Sequence, residues 1–115
     1  MSTITYDDVG DDLRRIIIAG RLDTLGPNSI ASQLMELVRA AKKAVVVDLS
    51  DVQYLASVGI GALLSSAKTV KGREGKMALV VGPSSTVMMS LEATGVDQLI
   101  PVFAGFSEAE KAALA

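Results

Sequence analysis

A serine, Ser57, lies at the junction between a predicted buried strand and a predicted helix. The apolar run at residues 44–47 precedes it, and Ile60 and Leu63 begin an apolar pattern with helical spacing after it. A hydroxyl at the start of a helix can accept hydrogen bonds from the unpaired N–H groups of the first turn. The same donors, together with the positive end of the helix dipole, favour a phosphate at this position. A helix cap is therefore the common role of a serine at this position, which would also suit a phosphate electrostatically.

A phosphate on Ser57 would act on any protein that binds this surface. It adds about −1.5 to −2 charges, which an apolar or acidic partner surface would have to bury. A loss of about 3 kcal/mol at an interface weakens binding more than a hundredfold, so one phosphate is enough to release a partner. Gly59 and Gly61 are predicted to keep the first helical turn free of bulk, so that a partner can approach closely.

Other chemistry finds little support in the sequence. The chain has no His and no Cys, which removes Ser–His–Asp and Cys–His catalysis, ordinary zinc sites and disulfides. Gly59-Ile60-Gly61 lacks the glycine spacing of a dinucleotide fingerprint, and the turn at residues 82–85 lacks the lysine of a P-loop. With 11 cationic and 13 acidic residues, the chain has no basic stripe to neutralise nucleic-acid phosphates. We therefore expect no enzyme activity, no cofactor, no metal site and no nucleic-acid partner.

The elements that must position Ser57 alternate between strand and helix. Strands are predicted at residues 3–9, 13–19, 44–47, 76–81 and 99–103; Asp48 and Leu49 end the third, and a short polar connection follows. Helices are predicted after the turn at 26–28, from Ser57, after the turn at 82–85 and from Ser107. The order β-β-α-β-α-β-α-β-α favours an α/β fold with a mixed, largely parallel sheet. The 115 residues suit one domain, residues 1–115.

Five short motifs, taken in order, resemble the STAS domain. They are GRLD at 20–23, VDLS at 47–50, ASVGIG at 56–61, VGPS at 81–84 and LEATGVD at 91–97. The similarity covers about the whole chain. No transporter sequence precedes the domain, so the free-standing anti-sigma factor antagonists are the expected branch. The resemblance implies a sheet of four or five strands with helices packed on one side.

The resemblance also implies a partner and a switch. In this family the unphosphorylated domain binds an anti-sigma factor that is also a serine kinase, and phosphorylation of one serine breaks the complex. A phosphatase then resets the domain. The matching acceptor is Ser57, and the resemblance implies partner contacts from the residues near it: Asp23, Ala56, Val58, Gly59 and Ile60. We expect a cytoplasmic protein without direct membrane insertion, since no apolar run approaches the roughly 20 residues of a membrane helix.

One position departs from the family pattern. Ala56 stands where the family usually has an Asp beside the acceptor, so any orienting or electrostatic role of that carboxylate is missing. The kinase could supply the base itself, and Asp23, in a loop expected near the acceptor, could compensate in part. Ala56 also keeps a second function open, a non-switching STAS module that serves as a scaffold in a signalling assembly or as a subunit of a membrane transport complex.

Overall fold

The computed structural model describes residues 2–22, 26, 29–41, 43–82 and 85–115. Its elements in chain order are β1 Thr3–Val9, β2 Leu13–Leu22, α1 Ile30–Arg39, β3 Ala44–Leu55, α2 Ser57–Gly72, β4 Lys76–Val80, α3 Ser85–Thr94, α4 Val96–Leu99, β5 Val102–Phe103 and α5 Phe106–Leu114. The strands form one sheet in the order β1-β2-β3-β4-β5, in which β1 is antiparallel to β2 and the other pairs are parallel. The predicted α/β fold with a mixed, largely parallel sheet is confirmed.

The sheet is covered on both faces because its central strands are apolar on both. Along β3, Val45 and Val47 belong to a core formed with α1, α2, α3 and α4, whereas Val46 belongs to a second core with α5. The first four helices thus share one side, as the resemblance implied. The placement of α5 corrects the one-sided prediction, since Ala109 and Ala113 are buried against the opposite face. An uncovered face would leave the apolar side chains of two parallel strands in water.

Strand β3 is longer than predicted and replaces the expected polar connection. It continues to Leu55 because its later residues pair with the end of β2. The first of two register shifts lies between the pairs Ile17–Asp48 and Ala19–Asp51 and gives β3 one additional residue. The strand therefore leads directly into the turn before α2, with no intervening loop.

The C-terminal part differs from the prediction in one element. Residues 96–99 form a short helix, α4, which was not predicted, and Leu99 is its last residue rather than the first residue of the last strand. Gly95, which precedes this helix, has a φ of 79°, in the left-handed region that glycine adopts at little cost. The last strand, β5, has only two residues and begins after Pro101, which cannot donate a hydrogen bond to a neighbouring strand.

Two arginines tie the C-terminal end of α1 to its neighbours. Arg14 Nη1 donates to the Leu37 carbonyl at 3.0 Å, and Arg73 Nη1 donates to the Val38 carbonyl at 2.8 Å. The hydrogen bond to Asp8 raises the pKa of Arg14, whereas burial, together with the charge of Arg14, lowers the pKa of Arg73. Both cations suit the negative end of the helix dipole. These bonds hold α1 against β2 and against the C-terminal end of α2.

Candidate functional site

Ser57 is the first residue of α2, and its side chain is exposed. The N-cap residue is Ala56, which has an extended backbone with φ −91° and ψ 174°, and its side chain makes no capping hydrogen bond. The Ser57 hydroxyl makes no hydrogen bond to any residue that the structure describes. The helix-cap role left open by the sequence is therefore not the role of this serine in the structure. As an exposed residue, Ser57 is accessible to a reactant that approaches from solvent.

The backbone that follows Ser57 presents N–H groups at the helix start. The first bond of the helical ladder runs from Ile60 N to Ala56 O at 3.0 Å, so the N–H groups of Val58 and Gly59 precede the ladder. No acidic residue lies in the first turn of α2, which leaves the positive end of its dipole without a negative charge from this turn. This end of α2 is electrostatically suited to a phosphate.

Two strand ends hold the serine in place. Leu22 and Leu55, the last residues of β2 and β3, are paired in register. Ala56 N donates to the Leu22 carbonyl at 3.2 Å, so the turn before the serine is fastened to β2 as well as to β3. Asp23, which follows Leu22 in the sequence, lies outside the described residues. Its contact with a partner therefore stays a prediction.

The other predicted contact residues divide between surface and interior. Ala56 and Val58 are half-buried, whereas Gly59 is buried and Ile60 is only 8% exposed. Gly61, by contrast, is exposed, and a Cβ built on it would meet no heavy atom within 4 Å. Of the two glycines predicted to clear space for a partner, Gly61 is thus the one that faces outward.

A cation–aromatic pair, which sequence patterns did not indicate, lies near the ends of β2 and β3, next to the pair formed by Leu22 and Leu55. Arg21 pairs in register with Tyr54, and its guanidinium carbon is 4.5 Å from the centre of the tyrosine ring. Tyr54 remains 43% exposed. Both residue types are enriched at protein interfaces. The pairing depends on a register shift between β2 and β3, so the sequence alone carries no signal for it.

Asp48, in the VDLS motif, stabilises the sheet and does not reach the serine turn. It is 7% exposed and accepts a hydrogen bond from Ser50 N at 2.9 Å and another from the Ser50 hydroxyl. Arg15 Nη2 lies 3.4 Å from its other oxygen. The guanidinium carbon of Arg15 lies 4.4 Å from the centre of the Phe106 ring. Asp48 and Arg15 therefore lie on the face of the sheet that α5 covers.

The chemistry of the site rests on a hydroxyl, backbone N–H groups and a few neighbouring side chains. Within the described ranges, no group of three or more acidic, His or Cys side chains could hold a metal ion. In the same part of the chain no helix has the length and apolar character needed to cross a membrane.

Comparison with known proteins gives a family and several related structures. The family model of the STAS domain matches residues 8–109. An anti-sigma factor antagonist from Mycobacterium paratuberculosis is similar with a TM-score of 0.87 and 22% identity, over 100% of this chain and 96% of that one. The Bacillus cell fate determinant SpoIIAA in its phosphorylated form gives 0.65 and 17%, over 95% and 97%. A sulfate transporter family protein from Wolinella succinogenes gives 0.67 and 17%, over 88% and 84%, and at these identities the matches establish a shared fold.

Proposed function

Because the chain belongs to the STAS domain family, we propose that it is a regulatory protein-binding module of the anti-sigma factor antagonist type. Its partner is an anti-sigma factor that is also a serine kinase, and phosphorylation of Ser57 releases that partner. One observation carries the proposal: Ser57 is exposed at the first position of α2, and its hydroxyl has no hydrogen-bond partner among the described residues. The fold shared with an anti-sigma factor antagonist supports it.

The phosphoryl transfer needs one co-reactant, ATP, which the kinase partner binds. Ser57 Oγ attacks the γ-phosphorus, an O–P bond forms, and the bond from that phosphorus to the bridging oxygen of ADP breaks. The proton of the hydroxyl passes to a base on the kinase, since Ala56 has no carboxylate beside the acceptor. A phosphatase resets the protein by hydrolysing the phosphoserine to serine and inorganic phosphate.

Release follows from the change in charge at the start of α2. The phosphate is stabilised on this chain by the N–H groups of the first turn and by the helix dipole. A partner surface that fits the neutral serine would have to bury about −1.5 to −2 charges after the transfer. A difference of about 3 kcal/mol between the two forms lowers the affinity more than a hundredfold.

The partner surface is centred on Ser57. Ala56 and Val58 flank the serine and are half-buried, so we assign them direct contact with the partner. We retain Asp23 as a further contact on the strength of the family pattern. Gly59 and Ile60 are buried, and we assign them the support of the turn from within the domain.

Incubation with the cognate kinase and ATP, followed by intact mass measurement, tests the proposal. We expect one phosphate on the wild type and none on Ser57→Ala. The matched control is Ser65→Ala, because Ser65 is also exposed on α2, about 12 Å further along the helix axis. This control should take up one phosphate. Equal incorporation in Ser57→Ala and the wild type would contradict the proposal.

A second function is favoured by two observations. Ala56 lacks the acidic side chain that the family usually has beside the acceptor, and the fold also matches a sulfate transporter family protein. In this alternative the chain is a non-switching STAS module, a scaffold in a signalling assembly or a subunit of a membrane transport complex. Stable membership of a large complex in cell extracts, unchanged by Ser57→Ala and accompanied by no phosphorylation, would support the alternative over the switch.

A further inference from the structure

We infer that Gly59 is a positioning residue for the phosphate acceptor. Its missing side chain lets the first turn of α2 rest on the backbone carbonyl of Leu22, and this contact sets the place of Ser57 relative to the end of β2. The kinetic consequence of the inference rests on the proposed function, whereas the contact itself can be measured without it.

The space around Gly59 admits no side chain. A Cβ built on this residue would lie 2.5 Å from the Leu22 carbonyl oxygen, 2.7 Å from Leu55 Cδ1 and 2.8 Å from Leu22 Cγ. The carbonyl is part of the paired end of β2, and the two leucine side chains are 0% and 5% exposed, so none of these atoms has open space to move into. An added methyl group therefore forces the helix start and the strand end apart by about 0.5–1 Å before ordinary contact distances return.

The same carbonyl is also the acceptor of a hydrogen bond from the serine turn. Ala56 N donates to Leu22 O at 3.2 Å, one residue before Ser57. The start of α2 is thus fastened to β2 by a hydrogen bond at Ala56 and by direct packing at Gly59. A displacement at Gly59 lengthens that hydrogen bond and moves the acceptor hydroxyl with the turn.

The role of Gly59 differs from the one that its sequence position indicated. The glycines at 59 and 61 were both predicted to leave room for an approaching partner, but Gly59 is buried and Gly61 is exposed. Clearance on the outer surface is therefore assigned to Gly61. The lack of a side chain at Gly59 serves a contact within the domain.

Displacement of the acceptor should reduce the rate of phosphoryl transfer. A misplacement of about 1 Å can cost a reaction about a hundredfold, because the reacting atoms must approach in line. For Gly59→Ala we expect kcat/KM of the kinase to fall about 10–100-fold. We expect the loss in kcat, with KM changed less than about threefold, since the flanking surface still binds the kinase. A variant that was only less stable, but still folded at the assay temperature, would keep the wild-type kcat.

The matched control is Gly72→Ala, the same substitution in the last residue of the same helix. A Cβ at Gly72 meets no heavy atom within 4 Å, and the residue lies about 22 Å from Ser57 along the helix axis. With folding of each variant verified by circular dichroism, a tenfold or larger loss of kcat in Gly59→Ala and none in Gly72→Ala supports the inference. Wild-type kinetics in Gly59→Ala would overturn it.

Amide hydrogen exchange of the wild type provides a test that needs neither a folded variant nor a kinase. The Ala56 N–H should exchange at least tenfold more slowly than that of Val58, because only the former donates to Leu22. Equal exchange at the two sites would overturn the inference. Slow exchange at Ala56, combined with no phosphorylation of the wild type, would support the positioning contact and contradict the proposed function alone.

Discussion

The substitution Ala56→Asp is expected to stabilise the protein. Ala56 has the extended backbone, φ −91° and ψ 174°, that an N-cap residue adopts, but its methyl group cannot accept a hydrogen bond. The side chain is half-buried, so a longer one can extend towards solvent. A carboxylate at this position would accept a hydrogen bond from the N–H of Val58 or Gly59. It would also place a negative charge at the positive end of the α2 dipole.

The size of the effect follows from the two contributions. A polar N-cap residue in place of alanine stabilises the protein by typically about 1 kcal/mol. The negative charge at the positive end of the helix dipole adds up to about 0.3–1 kcal/mol at an exposed site. For a domain of this size, 1 kcal/mol corresponds to a rise in Tm of about 3–6 °C. These contacts lower the pKa of the introduced carboxyl below its usual value of about 3.9. The gain is therefore fully present above that pH and is lost as the pH falls through the folded-state pKa.

Thermal unfolding at pH 7 and pH 3, followed by circular dichroism, measures this gain. The matched control is Ala56→Asn, which supplies a similar acceptor without the charge. We expect a smaller gain from Ala56→Asn, and one that does not depend on pH. No increase in Tm at pH 7 for either variant would refute the description of Ala56 as an N-cap residue that makes no capping hydrogen bond.

Two other substitutions test the surface and the far side of the sheet. Gly61→Ala is expected to raise the free energy of unfolding by about 1 kcal/mol, because an exposed glycine inside a helix is replaced without a clash. The same change should weaken kinase binding, since the methyl group faces outward beside Ser57. Urea unfolding and calorimetric titration check the two effects, and an unchanged affinity of the kinase for this variant would place the partner away from this turn. Phe106→Ala is expected to lower the free energy of unfolding by about 2 kcal/mol, since the half-buried ring packs against the second core, beneath α5, and against Arg15. Phosphorylation of Ser57 should stay at the wild-type rate in folded Phe106→Ala, because α5 lies on the opposite face. A loss of phosphorylation there would contradict this separation.

Periodicity was sufficient to place the serine at a strand-to-helix junction. The apolar run that begins β3 and the helical spacing of Ile60 and Leu63 are local signals, and they indicated both elements. The same run also indicates that both faces of the sheet must be covered. Residues 44–47 are apolar at every position, so both faces of the strand need a cover, and α5 supplies the second.

Features that depend on register could not be predicted from the sequence. The length of β3 and the pairing of Arg21 with Tyr54 both result from shifts between β2 and β3, which no local pattern encodes. That Gly59 and Gly61 face in different directions could be predicted in part. Two residues along a helix correspond to a rotation of about 200°, so one glycine had to face inward. The contact of Gly59 with the Leu22 carbonyl, however, becomes visible only in three dimensions.

The affinity of the kinase-type anti-sigma factor for the two forms of this protein tests the central claim most directly. Calorimetric titration in the presence of ADP would compare the unphosphorylated protein with the protein phosphorylated at Ser57. We expect the phosphate to raise Kd at least a hundredfold, which corresponds to about 3 kcal/mol, and Ser57→Ala to bind as the unphosphorylated form does. Equal Kd values for the two forms would contradict the role of Ser57 as a release switch.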